Sequence, residues 1–303
     1  MSDDKYLIYG RNGWIGGKLI NLLKEQGKTV VLGDARLQNR ETLEKEIRSV
    51  NPTHILCAAG ITGRPNIDWC ESHQQDTLRT NVIGILNLAD LCDQYNIHHT
   101  LYATGCIFEY DDKHTIENGV GFTEEDSANF FGSFYSKTKA YMEEMLKSYS
   151  TTLVLRVRMP ISDDLNPRNF VTKIVKYDRV VNIPNSMTVL YDLLPVSLIM
   201  AERRLTGIYN FTNPGAISHN EVLALYKKYV DPEYTWQNFT IEEQNKILAA
   251  KRSNNLLDTT KITSALPDVK ILDIHTSCEL VFQRMRANLE AESEWPNNLP
   301  QRN

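Results

Sequence analysis

Lys5-Tyr6-Leu7-Ile8-Tyr9-Gly10-Arg11-Asn12-Gly13-Trp14-Ile15-Gly16 is the stretch that decides the fold. Lys5 to Tyr9 reads as a short buried strand ending at Gly10. Beyond it, Ile15, Leu19, Leu22 and Leu23 share one helical face, and Gly27 is placed to end that helix. The three glycines thus lie where a strand turns into a helix, the context that raises a glycine pattern above coincidence. Gly10 permits the tight turn, Gly13 lets the backbone approach a pyrophosphate, and Gly16 lets helix and sheet pack closely. The helix amino terminus then faces the phosphates. The plain alternative is three turn glycines in an ordinary βα loop.

Outward from this unit, strand and helix alternate. Thr29 to Leu32 and Thr53 to Ala59 read as strands, separated by an amphipathic helix from Glu41 to Val50 that stops at Asn51-Pro52. A helix from about Asp76 to Tyr95, a strand at Thr100 to Ala103, a helix through Tyr135 to about Tyr149, and a strand at Thr152 to Val157 follow. This order predicts an α/β, Rossmann-like doubly wound parallel sheet over residues 1–160. After Pro160 the alternation loosens: helix at Arg168 to Tyr177, extended chain at Val180 to Ile183, helix at Ser197 to Arg204, strand at Gly207 to Phe211, helix at Asn220 to Tyr229. Mixed elements suit a smaller C-terminal substrate-binding lobe over 161–290, with the late strand near 207–213 able to return to the sheet. The polar, proline-containing end at 291–303 is expected to fray.

Composition narrows the function. The chain has 303 residues, 42% hydrophobic and 23% charged, enough to bury a sizeable core. A net charge of −5 without a Lys/Arg cluster argues against a nucleic-acid surface. No apolar run reaches the roughly 20 residues of a membrane helix, so no membrane partner is expected. The start Met1-Ser2-Asp3-Asp4-Lys5 is acidic and unlike a secretion signal. Five cysteines without a C-x-x-C pair fit a reducing, cytoplasmic compartment, and the seven histidines show no metal-ligand spacing, so no metal is expected. Cys57, Cys70, Cys92 and Cys278 read as structural, His54, His98 and His99 as strand starts, and His219 as a cap or surface residue.

Phe134-Tyr135-Ser136-Lys137-Thr138-Lys139 supplies the chemistry. Tyr135 and Lys139, four apart, lie on one helical face. The ammonium can favour ionisation of the phenol, whose ordinary pKa near ~10 is high for proton transfer at neutral pH. Thr104, at a strand end in Tyr102-Ala103-Thr104-Gly105-Cys106-Ile107-Phe108, can bond the carbonyl oxygen that Tyr135 protonates. Asp34, near the end of the second strand, can accept from a ribose hydroxyl and favour NADH. Arg36 and Arg11 can instead hold the extra phosphate of NADPH, which we favour; a surface role for Arg36 stays open.

With these residues in view, and with the wide spacing of the first two glycines, the chain resembles the extended short-chain dehydrogenases/reductases that reduce 4-keto-6-deoxy sugar nucleotides. More narrowly it is similar to the bifunctional 3,5-epimerase/4-reductases that complete UDP-rhamnose synthesis in plants, with counterparts in giant viruses. The likeness runs from about Tyr6 to Tyr229. It includes Ala58-Ala59-Gly60, Thr62-Gly63-Arg64-Pro65-Asn66, Asp68-Trp69-Cys70-Glu71-Ser72, Leu155-Arg156-Val157-Arg158-Met159-Pro160, Asn182 to Leu190 and Asn210 to Gly215. Ser162 to Pro167 departs from the plant pattern by one residue.

The resemblance implies a cofactor set of Gly10, Arg11, Asn12, Gly13, Trp14, Ile15, Gly16, Asp34, Arg36, Ala58, Ala59, Gly60, Tyr135 and Lys139. It implies a UDP-sugar substrate held by Thr62, Gly63, Arg64, Asn66, Arg158, Asn169, Asn185 and Ser186. It also implies that Cys106 and Lys173, the latter in Asn169-Phe170-Val171-Thr172-Lys173, are the acid–base pair for epimerisation beside the reductive Thr104, Tyr135 and Lys139. The rival readings are a reductase without epimerase activity and a non-catalytic regulatory subunit, like the reductase-related subunit that binds methionine adenosyltransferase. Relatives often dimerise through the tyrosine-bearing helix; here Met142, Met145 and Leu146 beside Tyr141 make a homodimer the expected assembly.

Overall fold

The computed structural model describes residues 4–64, 66–292, 295–296 and 299–300; Met1 to Asp3, Pro65, and tail residues 293–294, 297–298 and 301–303 lie outside the described residues. The first half runs β1 (Lys5–Tyr9), α1 (Trp14–Glu25), β2 (Thr29–Leu32), α2 (Arg40–Val50) and β3 (His54–Cys57). It continues through α3 (Trp69–Ser72), α4 (Gln74–Leu78), a π turn (Arg79–Ile83), α5 (Gly84–Gln94), β4 (His98–Thr104), α6 (Phe134–Leu146) and β5 (Thr152–Val157). The second half comprises α7 (Phe170–Ile174), β6 (Arg179–Val180), β7 (Pro184–Asn185), α8 (Leu190–Glu202), β8 (Gly207–Asn210) and β9 (Ile217–Ser218). After these come α9 (His219–Tyr229), β10 (Gln237–Asn238), α10 (Ile241–Ile247), α11 (Thr260–Ala265) and α12 (Ile274–Ala291).

Six parallel strands form the main sheet in the order β2-β1-β3-β4-β5-β8. Side chains alternate between its faces. Tyr6, Ile8, Leu56, Leu153 and Leu155 pack with Leu19 and Leu23 of α1, with α8, and with Ile262 of α11. Leu7, Tyr9, Ile55, Leu101 and Val154 pack on the other side with Leu43 of α2, Leu88 of α5 and Met142 of α6. Both faces are covered, so the strands read as near-continuous apolar runs. Local signals set the ends: Gly27, at φ +70°, follows α1, and Asn39 accepts the Thr42 N–H at 3.2 Å to open α2.

A second core joins Val171, Val175, Met187, Ile217, Leu223, Tyr226, Val281, Phe282 and Met285. This smaller lobe is not one unbroken segment, because α8, β8 and α11 return to the sheet. The structure corrects several expectations. The helix expected to begin near Asp76 is preceded by α3 and interrupted by the π turn. α8 begins at Leu190 rather than near Ser197, and the proline inside it, Pro195, masks its first turns. His219 is buried, edge-on to Phe170 at 5.4 Å, rather than on the surface. Met142 and Leu146 are buried in the core, which leaves Tyr141 and Met145 with Phe131 as the exposed apolar residues beside α6. In the tail, Trp295 docks: its indole N–H donates to the Val230 carbonyl at 2.7 Å, beneath Arg286. Among the described residues no helix is long and apolar enough to cross a membrane.

Candidate active site

β1 is flanked by β2 on one side and β3 on the other, so the chain reverses direction across the sheet there, and in open α/β sheets the carboxyl ends of the strands at such a point are where ligands bind. Gly10 turns at φ +84°, and a Cβ there would lie 2.5 Å from the Ala58 carbonyl carbon. A Cβ on Gly16 would lie 2.2 Å from the Gly10 oxygen. Only glycine fits either position. α1 has no side-chain cap and no acidic residue in its first turn, so its leading N–H groups are left for an anion. Asn12 and Gly13 are exposed at this end, while Trp14 and Ile15 are half-buried against the sheet core. The turn fits a diphosphate.

At the β2 edge, Glu46 accepts from the N–H groups of Asp34 and Ala35 at 2.8 and 3.1 Å and from the Tyr9 hydroxyl at 2.7 Å. Nothing in the sequence marked Glu46 for this. Arg11 pairs with Asp34, so the two residues set against each other as ribose and phosphate readers are one ion pair. Arg36 is exposed and makes no ion pair among the described residues, which leaves it as the cation available at this edge.

Beyond β3, the Asn81 amide holds the next loop from both sides. Its Oδ1 accepts the Ile61 N–H at 2.8 Å and its Nδ2 donates to the Ile61 carbonyl at 2.7 Å. The π turn is what aims this buried amide at the loop. It brings Ala58, Ala59 and Gly60 past Lys139, whose Nζ would be 3.9 Å from a Cβ on Gly60. A single asparagine in an apolar helix gave no sequence signal.

Tyr135 and Lys139 occupy the first turns of α6. Ser133 caps that helix by accepting the Ser136 N–H at 3.0 Å, and Glu71 of α3 accepts the Phe134 N–H at 2.7 Å. Thr104 ends β4, and its hydroxyl is near enough to that of Tyr135 to act on its ionisation. Burial pushes the Tyr135 phenol well above its ordinary pKa, Cys106 adds to this, and Thr104 opposes it. Burial also pulls Lys139 down to about 8. The expected promotion of phenolate by Lys139 is therefore outweighed: its Nζ lies 5.9 Å from the ring centre, and desolvation dominates. A phenol that keeps its proton is the form able to donate one.

Cys106 is half-exposed, and its N–H donates to Thr104 Oγ1 at 3.1 Å. The thiol lies within electrostatic reach of both Tyr135 and Lys173. Lys173, on α7, is lowered from its ordinary pKa by burial first, then by Arg168, with Arg252 adding and Cys106 opposing. Arg252 donates to Asp68 at 2.8 Å. Arg252 and Glu71 went unnoticed in the sequence, although Asp68 and Glu71 belong to a stretch that stood out there.

The expected substrate residues divide. Thr62 Oγ1 and the Gly63 carbonyl accept from Arg168 at 2.9 and 3.2 Å on the cleft rim, with Arg64 exposed beside them. Asn66 accepts the Asp68 N–H at 2.8 Å. The other four are buried and bonded within the chain. Arg158 donates from Nε to Ser186 O, from Nη1 to Gly105 O and Ser253 Oγ, and from Nη2 to Asn185 Oδ1 and Ser253 O. Ser186 Oγ accepts the Leu257 N–H at 2.9 Å, and Asn169 caps α7 through the Val171 N–H at 3.1 Å. Arg158, Asn169, Asn185 and Ser186 thus brace the walls of the cleft rather than line it.

Comparison with known proteins agrees with this geometry. The family described as the RmlD substrate binding domain matches residues 4–266. A bifunctional dTDP-4-dehydrorhamnose 3,5-epimerase/dTDP-4-dehydrorhamnose reductase of Arabidopsis thaliana is 58% identical over 269 residues, covering 88% of this chain and 89% of that protein. The crystal structure of the L780 UDP-rhamnose synthase from Acanthamoeba polyphaga mimivirus is 42% identical, with a TM-score of 0.88 over 92% of this chain and 99% of that one. A dTDP-4-dehydrorhamnose reductase of Bacillus anthracis, solved in complex with NADP, shares the fold at 18% identity and a TM-score of 0.78, over 93% of this chain and 98% of that one. By profile, by identity and by fold, the chain belongs to the RmlD substrate binding domain family, within the short-chain dehydrogenases/reductases.

Proposed function

We propose that this protein epimerises UDP-4-keto-6-deoxyglucose at C3 and C5 and then reduces C4 with NADPH, giving UDP-L-rhamnose, both in one cleft. The observation that carries this reading is the half-exposed Cys106 beside Thr104, within electrostatic reach of both Tyr135 and the depressed amine of Lys173. The activities named for the Arabidopsis and mimivirus relatives support it.

The C4 ketone makes its neighbouring C–H bonds acidic. One of Cys106 and Lys173 removes the proton at C3 or C5, and the electron pair moves into the carbonyl as an enolate. Thr104 and Tyr135 donate hydrogen bonds to the enolate oxygen. The other partner returns a proton to the opposite face, which inverts the centre. The amine of Lys173, lowered by burial and by neighbouring cations, can exchange protons nearer neutrality than an ordinary lysine. NADPH, when bound, supplies the hydride to C4. Tyr135 then protonates the alkoxide oxygen, a role suited to a phenol that burial keeps neutral. Arg168, Lys173 and Arg252 give the rim a positive field for a nucleotide diphosphate. Arg36 supports NADPH over NADH, as does the NADP held by the reductase of similar fold.

The test is incubation with UDP-4-keto-6-deoxyglucose in D₂O, with and without NADPH. Deuterium at C3 and C5 without NADPH, and a rhamnose product with it, are expected. Reduction without any exchange would establish the reductase-only reading.

A further inference from the structure

The segment Ser162 to Asn166 crosses from the smaller lobe onto α1. Asp164 carries the crossing. Its Oδ2 accepts from Trp14 Nε1 at 2.9 Å and from Lys18 Nζ at 2.7 Å. Its Oδ1 accepts the Asn166 N–H at 3.0 Å, and its carbonyl accepts from Asn169 Nδ2 at 2.6 Å. Asn169 opens α7, the helix of Lys173. Asn166 in turn accepts the Arg168 N–H at 2.9 Å, and the Arg168 guanidinium reaches Thr62 and Gly63. Asp163 anchors the same segment to α12, accepting from Arg284 at 3.4 Å and, through its carbonyl, from Asn288 at 3.1 Å.

Trp14 is the first residue of α1, directly after the glycine turn, whereas α7 is only five residues long. A helix that short has little stability of its own and takes its position from its cap. A partly solvated ion pair such as Lys18–Asp164 adds little to stability, so the weight of these contacts is geometric. We infer that Asp164 is a positioning residue that couples occupancy of the glycine turn to the placement of Lys173. The inference rests on the assignment of the glycine turn to the dinucleotide and of Lys173 to proton transfer. A diphosphate bound at the start of α1 fixes Trp14, Trp14 fixes Asp164, and Asp164 fixes the Asn169 cap. For binding, such coupling is reciprocal: whatever factor the dinucleotide adds to the affinity for a nucleotide sugar, the nucleotide sugar adds to the affinity for the dinucleotide.

Asp164→Asn separates the tie from the segment's own turn. Asparagine keeps an oxygen for the Asn166 N–H but turns an amide toward two donors, Trp14 Nε1 and Lys18 Nζ. Trp14→Phe keeps a ring and removes the donor. Exchange of solvent deuterium into UDP-4-keto-6-deoxyglucose is measured with and without saturating NADP⁺, which cannot supply hydride, so any gain reports positioning alone. Calorimetry gives the NADP⁺ affinity with and without UDP. In the wild type, NADP⁺ should speed exchange, and UDP should tighten NADP⁺, each by about five-fold or more. In either variant both factors should fall to near one, and the double variant should be no worse than either single. Variants that keep the wild-type factors, or a wild type whose factors are one, overturn the inference. A wild type without exchange in either condition defeats the epimerase reading instead, and the calorimetric factor then decides the coupling by itself.

Discussion

Tyr135 and Lys139 show how burial reshapes a motif that is plain in the sequence. Their spacing put them on one face, but only the folded environment shows that desolvation raises the phenol and pulls the amine to about 8. Tyr135→Phe should lower NADPH oxidation by about 10²–10⁴-fold, the usual worth of a general acid, in a steady-state assay. If protonated Lys139 is required, the reductive rate should decline as pH rises through about 8; a rate flat to pH 10 would remove that requirement. At the β2 edge, Arg36→Ala should raise the Michaelis constant for NADPH much more than for NADH, since Arg11 is already paired with Asp34. Equal effects on both cofactors would mean that Arg36 does not read the phosphate. Arg158 makes the opposite case. Its type and setting resembled a substrate ligand, yet every N–H of its guanidinium is used inside the chain. Arg158→Met leaves the Ser186 and Ser253 carbonyls without this donor and should cost on the order of 3 kcal/mol, read as a lower denaturation midpoint. An unchanged midpoint with a raised substrate constant would return it to the binding set.

At the level of elements, the strands and helices of the first half were legible because their signals are local. An unbroken apolar run makes β1, and Gly27 and Asn51 in left-handed turns end α1 and α2. What stayed hidden depends on distant partners. The π turn exists to aim Asn81 at Ile61, and no residue near it announces a change of pitch. The start of α8 is masked by Pro195, and α10 to α12 lie past Tyr229, where the likeness legible in the sequence ends. The same division holds in the site. Gly10, Thr104, Tyr135 and Lys139 were readable from spacing, whereas Glu46, Glu71, Asn81 and Arg252 act across the fold, on groups far away in sequence.

For the whole molecule, the amino ends of the strands carry buried histidines that burial holds neutral: His54 is lowered to about 4 and His99 to about 3. Unfolded imidazoles take their protons near 6.5, so below that pH the unfolded state binds more protons. Stability should therefore fall as pH drops from 6.5 toward 4, by up to about 1.4 kcal/mol per unit for each such histidine. Denaturant midpoints that do not move over this range would show that these rings are solvated. Exposed Phe131, Tyr141 and Met145 support a homodimer, and light scattering at micromolar concentration should return about twice the chain mass. In the proposed mechanism two proton chemistries share one cleft and are separable at Cys106 and Lys173. This is tested most directly by following solvent deuterium at C3 and C5 of UDP-4-keto-6-deoxyglucose with Cys106→Ser, then adding NADPH. Serine keeps the size and loses the accessible proton, so exchange should collapse at one or both carbons while some unepimerised ketone is still reduced. Normal exchange at both carbons, with normal yield of the rhamnose product, would make the thiol structural and leave epimerisation without Cys106.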